Sequence, residues 1–137
     1  MIRHLPEDTM KRDLCLLLLA GAVVSAAPLL AHHSFAATYF DDQTQTSEGN
    51  HVQFVFRNPH SFVHLEAPDE NGQPVRWAVE WGSGQQLSGQ GVAGDTLKFG
   101  DHVVITGNPG RNLEDHRMRM HSIVRPKDGW KWTGTFQ

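Results

Sequence analysis

The chain has 137 residues, with 12 Lys and Arg against 15 Asp and Glu, a formal net charge of −3 and a single cysteine. That length supports one small domain, and the mild acidity lacks the basic patch that nucleic acid demands, so no nucleic-acid partner is expected. One thiol makes neither an internal disulfide nor a thiolate metal cage, which directs the search for chemistry to the nine histidines.

The first stretch carries Arg3, Lys11 and Arg12, then an apolar run from Leu14 to Val24, then small residues from Ser25 to Ala27. A charged start, a short apolar run and a small-residue exit describe a secretory signal peptide, here residues 1–31. The run is shorter than the ~20 apolar residues of a membrane span, and Pro28 interrupts any helix continuing through it. No stable membrane span is therefore expected once the leader is removed, and the expected location is periplasmic or secreted. Two cleavage sites compete: after Ala26, following Val24-Ser25-Ala26, and after Ala31, following Leu29-Leu30-Ala31. The second cut releases His32 as the new N-terminus and leaves 137 − 31 = 106 residues. Cys15 departs with the leader under either cut.

Residues 32–45 read as an N-terminal arm, 46–129 as a barrel and 130–137 as a tail. Within the barrel, residues 51–57 alternate, with Val52, Phe54 and Phe56 on one face and His51, Gln53 and Arg57 on the other. Asn58-Pro59 ends that strand, because proline cannot donate to the ladder. A second strand runs from about His60 to Ala67 and turns at Asp69-Glu70-Asn71-Gly72. A third runs from Val75 to Trp81 with Trp77, Val79 and Trp81 on one face, and one short helix is expected around Gln85–Ser88. The fourth, His102 to Thr106, ends at Gly107-Asn108-Pro109-Gly110, and the last spans about His116 to Arg125. Three strands, a short helix and two more strands give an all-β fold, a small five-stranded OB-like barrel with its helix between strands 3 and 4.

Several residues in this frame carry a family resemblance. They are His32-His33-Ser34-Phe35-Ala36, Asn58-Pro59-His60, Trp77 with Glu80, Leu97, Gly100-Asp101 with Val103, and Arg125-Pro126 with Asp128-Gly129-Trp130. Together they resemble the DUF6152 family of small exported bacterial proteins, over essentially the whole mature chain. The resemblance implies no particular activity. Members often carry Ala-x-Ala before the histidine pair, which favours cleavage there, whereas this chain has Leu29 at the third position back.

The sharpest chemical expectation is a copper site. A free α-amine and imidazole at His32, with His33 and His60 as further nitrogens, form a donor set suited to copper or a related transition metal. The competing expectation is a solvated arm on an interaction module that binds an envelope protein without metal. His60 and His64 share a strand face but lie roughly 13 Å apart along it, so they are no chelate. His116, Met118 and Met120 also alternate on one face; a copper thioether site is conceivable there, but core packing of the methionines is the better expectation. Glu80 reads as a lone carboxylate with no acid or base partner. Ser61 and Ser83 lack a nucleophile motif, and no phosphate loop or calcium loop is present. An enzyme is the weakest of the readings.

Overall fold

A computed structural model describes residues 35–135. The leader, both cleavage sites, His32 and His33 lie outside the described residues. Six strands follow in order: β1 Gln45–Val55, β2 Ser61–Pro68, β3 Pro74–Trp81, β4 His102–Pro109, β5 Arg117–Arg125 and β6 Trp130–Thr133. The helix α1, Gly84–Gly89, lies between β3 and β4, and a 3-10 turn at Leu113–Asp115 precedes β5.

The first five strands close into a mixed barrel. β1 pairs antiparallel with β2 and β4, β2 with β3, and β4 with β5. A short parallel pairing, Ala78 to Glu80 beside Arg117 to Arg119, closes β3 onto β5. This is the OB-like barrel, with its helix between strands 3 and 4, that the alternation and turn chemistry imply. Ser61, Val63, Leu65 and Ala67 of β2 are buried, and so are Trp77, Val79 and Trp81 of β3. Val103, Ile105, Met118, Met120 and Ile123 meet them from β4 and β5. Both methionines are fully buried, so they serve as core fillers and not as exposed thioether ligands.

Local chemistry sets each turn. Asp69 Oδ1 accepts from the backbone N–H of Asn71 and of Gln73, both at 2.8 Å, and makes the β2–β3 turn. Ser83 caps α1 by accepting from Gln86 N–H at 3.1 Å. Two glycines are demanded by close approach. A Cβ on Gly49 would collide with the Glu66 carbonyl where β1 passes from β4 to β2, and one on Gly107 would collide with the Arg119 carbonyl.

Two features depart from strict alternation. The β1 register shifts between His51 and Gln53, so His51 stands opposite Leu65 and Phe54 opposite Val63. A bulge inserts one residue and turns both side chains to the covered face. His51 is accordingly only 3 % exposed, not on the outer face with Gln53 and Arg57, and its Nδ1 lies 2.8 Å from the Lys98 carbonyl. The second departure is at the C-terminal end. Residues 130–133, read from sequence as part of a tail, form β6 against the second half of β5. Trp132 meets Trp81 edge to face with ring centres 5.1 Å apart, and its indole N–H donates to Gln90 Oε1 at 2.8 Å. No helix among the described residues is long and apolar enough to cross a membrane.

Candidate functional site

The densest polar junction outside the barrel interior centres on Glu80. Strand alternation turns this residue outward, opposite Phe62 on β2 and Arg119 on β5. It is nonetheless only 7 % exposed, because the segment before β1 lies over it. That segment is fixed by its own backbone bonds: Phe40 N–H donates to the Pro109 carbonyl at 3.0 Å and Arg111 N–H to the Thr38 carbonyl at 2.9 Å. Tyr39 forms an isolated bridge with Gly110. Arg111 Nε adds a bond to the Ala36 carbonyl at 2.6 Å, and its guanidinium lies 4.6 Å from the Phe40 ring centre.

This docking brings three groups to one carboxylate. The Tyr39 hydroxyl donates to Glu80 Oε2 at 2.5 Å. His60 Nδ1 stands 3.1 Å from Glu80 Oε1, and Arg117 Nη2 stands 3.8 Å from Oε2. The His60 approach is a close contact off the line of an ideal hydrogen bond, and it becomes an ion pair only when the imidazole is protonated. Tyr39 is 1 % exposed; its burial, then the bond to Glu80 and the nearby negative charge, push the phenol pKa above its ordinary value. Arg117 spreads over the Tyr39 and Phe62 rings, with centroid distances of 5.9 and 6.0 Å.

His60 is the one sequence-predicted ligand that falls within the described residues. It follows the cis Asn58–Pro59 peptide and immediately precedes β2. The turn behind it is clamped by Ser61, whose hydroxyl donates to the Arg57 carbonyl at 3.1 Å and accepts from Arg57 N–H at 3.2 Å. Ser61 is therefore committed to backbone bonds and is no nucleophile. Among the described residues no three His, Cys, Asp or Glu side chains converge as a metal-binding group. His60 and Glu80 are two members of such a set at most, and further ligands would have to come from outside the described residues. Sequence reading dismissed Glu80 as a lone carboxylate; the structure makes it the hub of the junction. The missing signal was Tyr39, which lies 41 positions away and meets Glu80 only after the arm docks.

The remaining histidines are dispersed. His102 contacts Glu48 Oε1 through Nε2 at 2.8 Å. Burial, with Arg76 and His51 nearby, lowers the His64 pKa, and burial beside Arg119 lowers that of His121. A second polar cluster surrounds Asp101, whose carboxylate takes Lys98 N–H at 3.0 Å, Arg125 Nη1 at 2.8 Å and the Lys127 ammonium. Burial acts to raise this carboxyl's pKa, but those bonds outweigh it and hold the group well below the usual carboxylate range. Arg125 also pairs with Asp128 at 2.9 Å. All these partners are internal, so the cluster is a brace between β4 and the β5–β6 turn.

Residues 19–119 match DUF6152, described as a family of unknown function, and the chain belongs to that family. No curated protein and no solved structure matches it.

Proposed function

We propose that this DUF6152 member is a small exported binding protein that holds copper or a related transition metal through His32 and His33, with His60 as the third nitrogen. The observation that carries the reading is the Glu80 carboxylate beside His60 Nδ1 at 3.1 Å. Metal-binding histidines commonly have a carboxylate beside one ring nitrogen, which leaves the other ring nitrogen as the one available to a metal. The arrangement also sits at a stiff strand start, where a ligand's orientation is held by the scaffold.

Copper suits a donor set of imidazoles with an amine, and divalent copper heads the usual affinity order for such ligands.

The test begins with the intact mass of the exported protein, followed by Cu(II) titration of the same sample by calorimetry and native mass spectrometry. A mass starting at His32 and one tightly held copper are expected. His32→Ala, His33→Ala and His60→Ala should each weaken binding by about tenfold or more. Equal affinity in the parent and all three variants refutes the site. The alternative is an interaction module without metal, for which binding is indifferent to all three histidine changes.

A further inference from the structure

The chain has five asparagines, Asn50, Asn58, Asn71, Asn108 and Asn112, and their surroundings separate them chemically. An asparagine converts itself when the backbone nitrogen of the next residue attacks its side-chain carbonyl carbon. That attack needs a following residue with an N–H, an uncrowded nitrogen, and a carboxamide not tied elsewhere. Asn58 and Asn108 precede prolines, which have no N–H. Asn50 Oδ1 holds His102 Nδ1 at 3.2 Å, and the next amide, His51 N–H, donates to the Asp101 carbonyl at 2.7 Å. Asn112 is bound through both ends of its carboxamide, donating to Asp115 Oδ1 at 3.0 Å and accepting from Glu114 N–H at 3.3 Å.

Asn71 meets all three conditions. It stands exposed at the tip of the β2–β3 turn, and its carboxamide has no hydrogen-bond partner among the described residues. The next residue is Gly72, whose φ of 77° is a left-handed conformation that glycine adopts without strain. Beyond its chain neighbours, no heavy atom lies within 4 Å of the place a Cβ would take there, so its nitrogen is open to approach. The Gly72 N–H donates to the Asp69 carbonyl at 3.0 Å. That one bond must open before the nitrogen turns toward Asn71, and an exposed tip is where backbone bonds open most readily.

We propose that Asn71 is a self-modification site, at which the Gly72 backbone nitrogen closes onto the Asn71 side chain. The bond from Gly72 N to Asn71 Cγ forms and the Cγ–Nδ2 bond breaks. Hydroxide takes the Gly72 amide proton, and water returns a proton to the departing ammonia. The cyclic imide that remains is opened by one water. Attack at one carbonyl gives aspartate; attack at the other gives isoaspartate, in which the chain runs through Cβ. No oxidant, metal or enzyme is required. Both products bear on the turn. Aspartate adds a carboxylate to a barrel mouth already lined by Glu48, Asp69, Glu70 and Glu114. Isoaspartate adds one carbon to the backbone between the Asn71 and Gln73 N–H groups, which both donate to Asp69 Oδ1 at 2.8 Å. A single carboxylate oxygen then no longer serves both.

The experiment incubates the folded mature protein at mildly alkaline pH in water enriched in heavy oxygen, then sequences its peptides by mass spectrometry. Aspartate and isoaspartate are expected at residue 71, each carrying one heavy oxygen, while Asn50 and Asn112 stay intact. Asn71→Gln, whose longer side chain moves the carbonyl carbon away from the Gly72 nitrogen, should lose the conversion. The isolated isoaspartate fraction should melt about 4–8 °C below the parent through loss of one turn hydrogen bond. Absence of conversion at residue 71 overturns the proposal, as does aspartate without isoaspartate, which marks direct hydrolysis. Equal conversion at Asn50 or Asn112, or conversion confined to a urea-unfolded control, overturns it too, since the folded turn then singles out nothing. An unchanged melting temperature in the isoaspartate fraction overturns the consequence drawn for the Asp69 turn. None of these readouts involves a histidine, so they are independent of the metal reading.

Discussion

Tyr39→Phe removes one oxygen from the buried junction and keeps the ring that fills it. The lost hydroxyl donates to Glu80 at 2.5 Å, where the two residues are 1 % and 7 % exposed. A hydrogen bond to a charged group contributes about 1.5–3 kcal/mol. Glu80 keeps His60 at 3.1 Å and Arg117 at 3.8 Å, so it is not stranded. The expected loss is therefore about 2 kcal/mol, toward the lower end of that range. Urea denaturation at neutral pH should show a lower midpoint with an unchanged slope. Alkaline pH gives a second, signed test. The folded phenol titrates above its unfolded value of about 10. The folded state thus holds this proton more tightly, and the stabilisation is complete below about pH 10 and lost as pH rises beyond it. The gap between parent and variant should narrow above pH ~10. Tyr39 is the chain's single tyrosine, so tyrosinate absorbance follows this one group. A neutral-pH gap below about 0.5 kcal/mol refutes the buried bond, and a phenol titrating at its ordinary value refutes the coupling to Glu80.

Two further predictions concern the scaffold that presents the site. Asp101→Asn uncouples Arg125 and Lys127 from a carboxylate whose side chain is 3 % exposed and should cost about 3 kcal/mol near neutral pH. Its depressed pKa makes that stabilisation present above about pH 4 and lost as pH falls further. The gap between parent and variant in thermal melts should shrink from about pH 5 toward pH 2, and a constant gap argues against the brace. Gly107→Ala drives a methyl group into the Arg119 carbonyl and should cost about 1–3 kcal/mol. Unchanged melting in calorimetry would show that β4 and β5 separate there without penalty.

Where sequence reading succeeded and where it stopped has a common physical cause. β2 and β3 were legible because each buries one face, so Val63, Leu65, Trp77, Val79 and Trp81 alternate cleanly between turn signals. The short helix, expected around Gln85–Ser88, stands at Gly84–Gly89, and the Ser83 cap that starts it is visible only in the structure. The His51 bulge was not legible, since an added residue leaves composition unchanged and only the partner strand reveals the shift. The four residues of β6 were too few to separate a strand from a tail without knowing that Trp132 meets Trp81 and Gln90. At the junction, the Asn58-Pro59-His60 turn exposed one partner, but Glu80 acquires its character from Tyr39 and Arg117. Those contacts depend on arm docking and on the parallel β3–β5 pairing, which are properties of the closed barrel.

β5 gives its first residues to β3 and its last to β6. The strand that closes the barrel and the indole that meets Trp81 thus both come late in the sequence. During synthesis the first four strands emerge before the groups that cover their apolar face. An emerging chain must therefore carry Val63, Val79 and Trp81 incompletely covered until residues 117–133 arrive. Folding is coupled to completion of that segment, and the interval before it is when the chain is most prone to association.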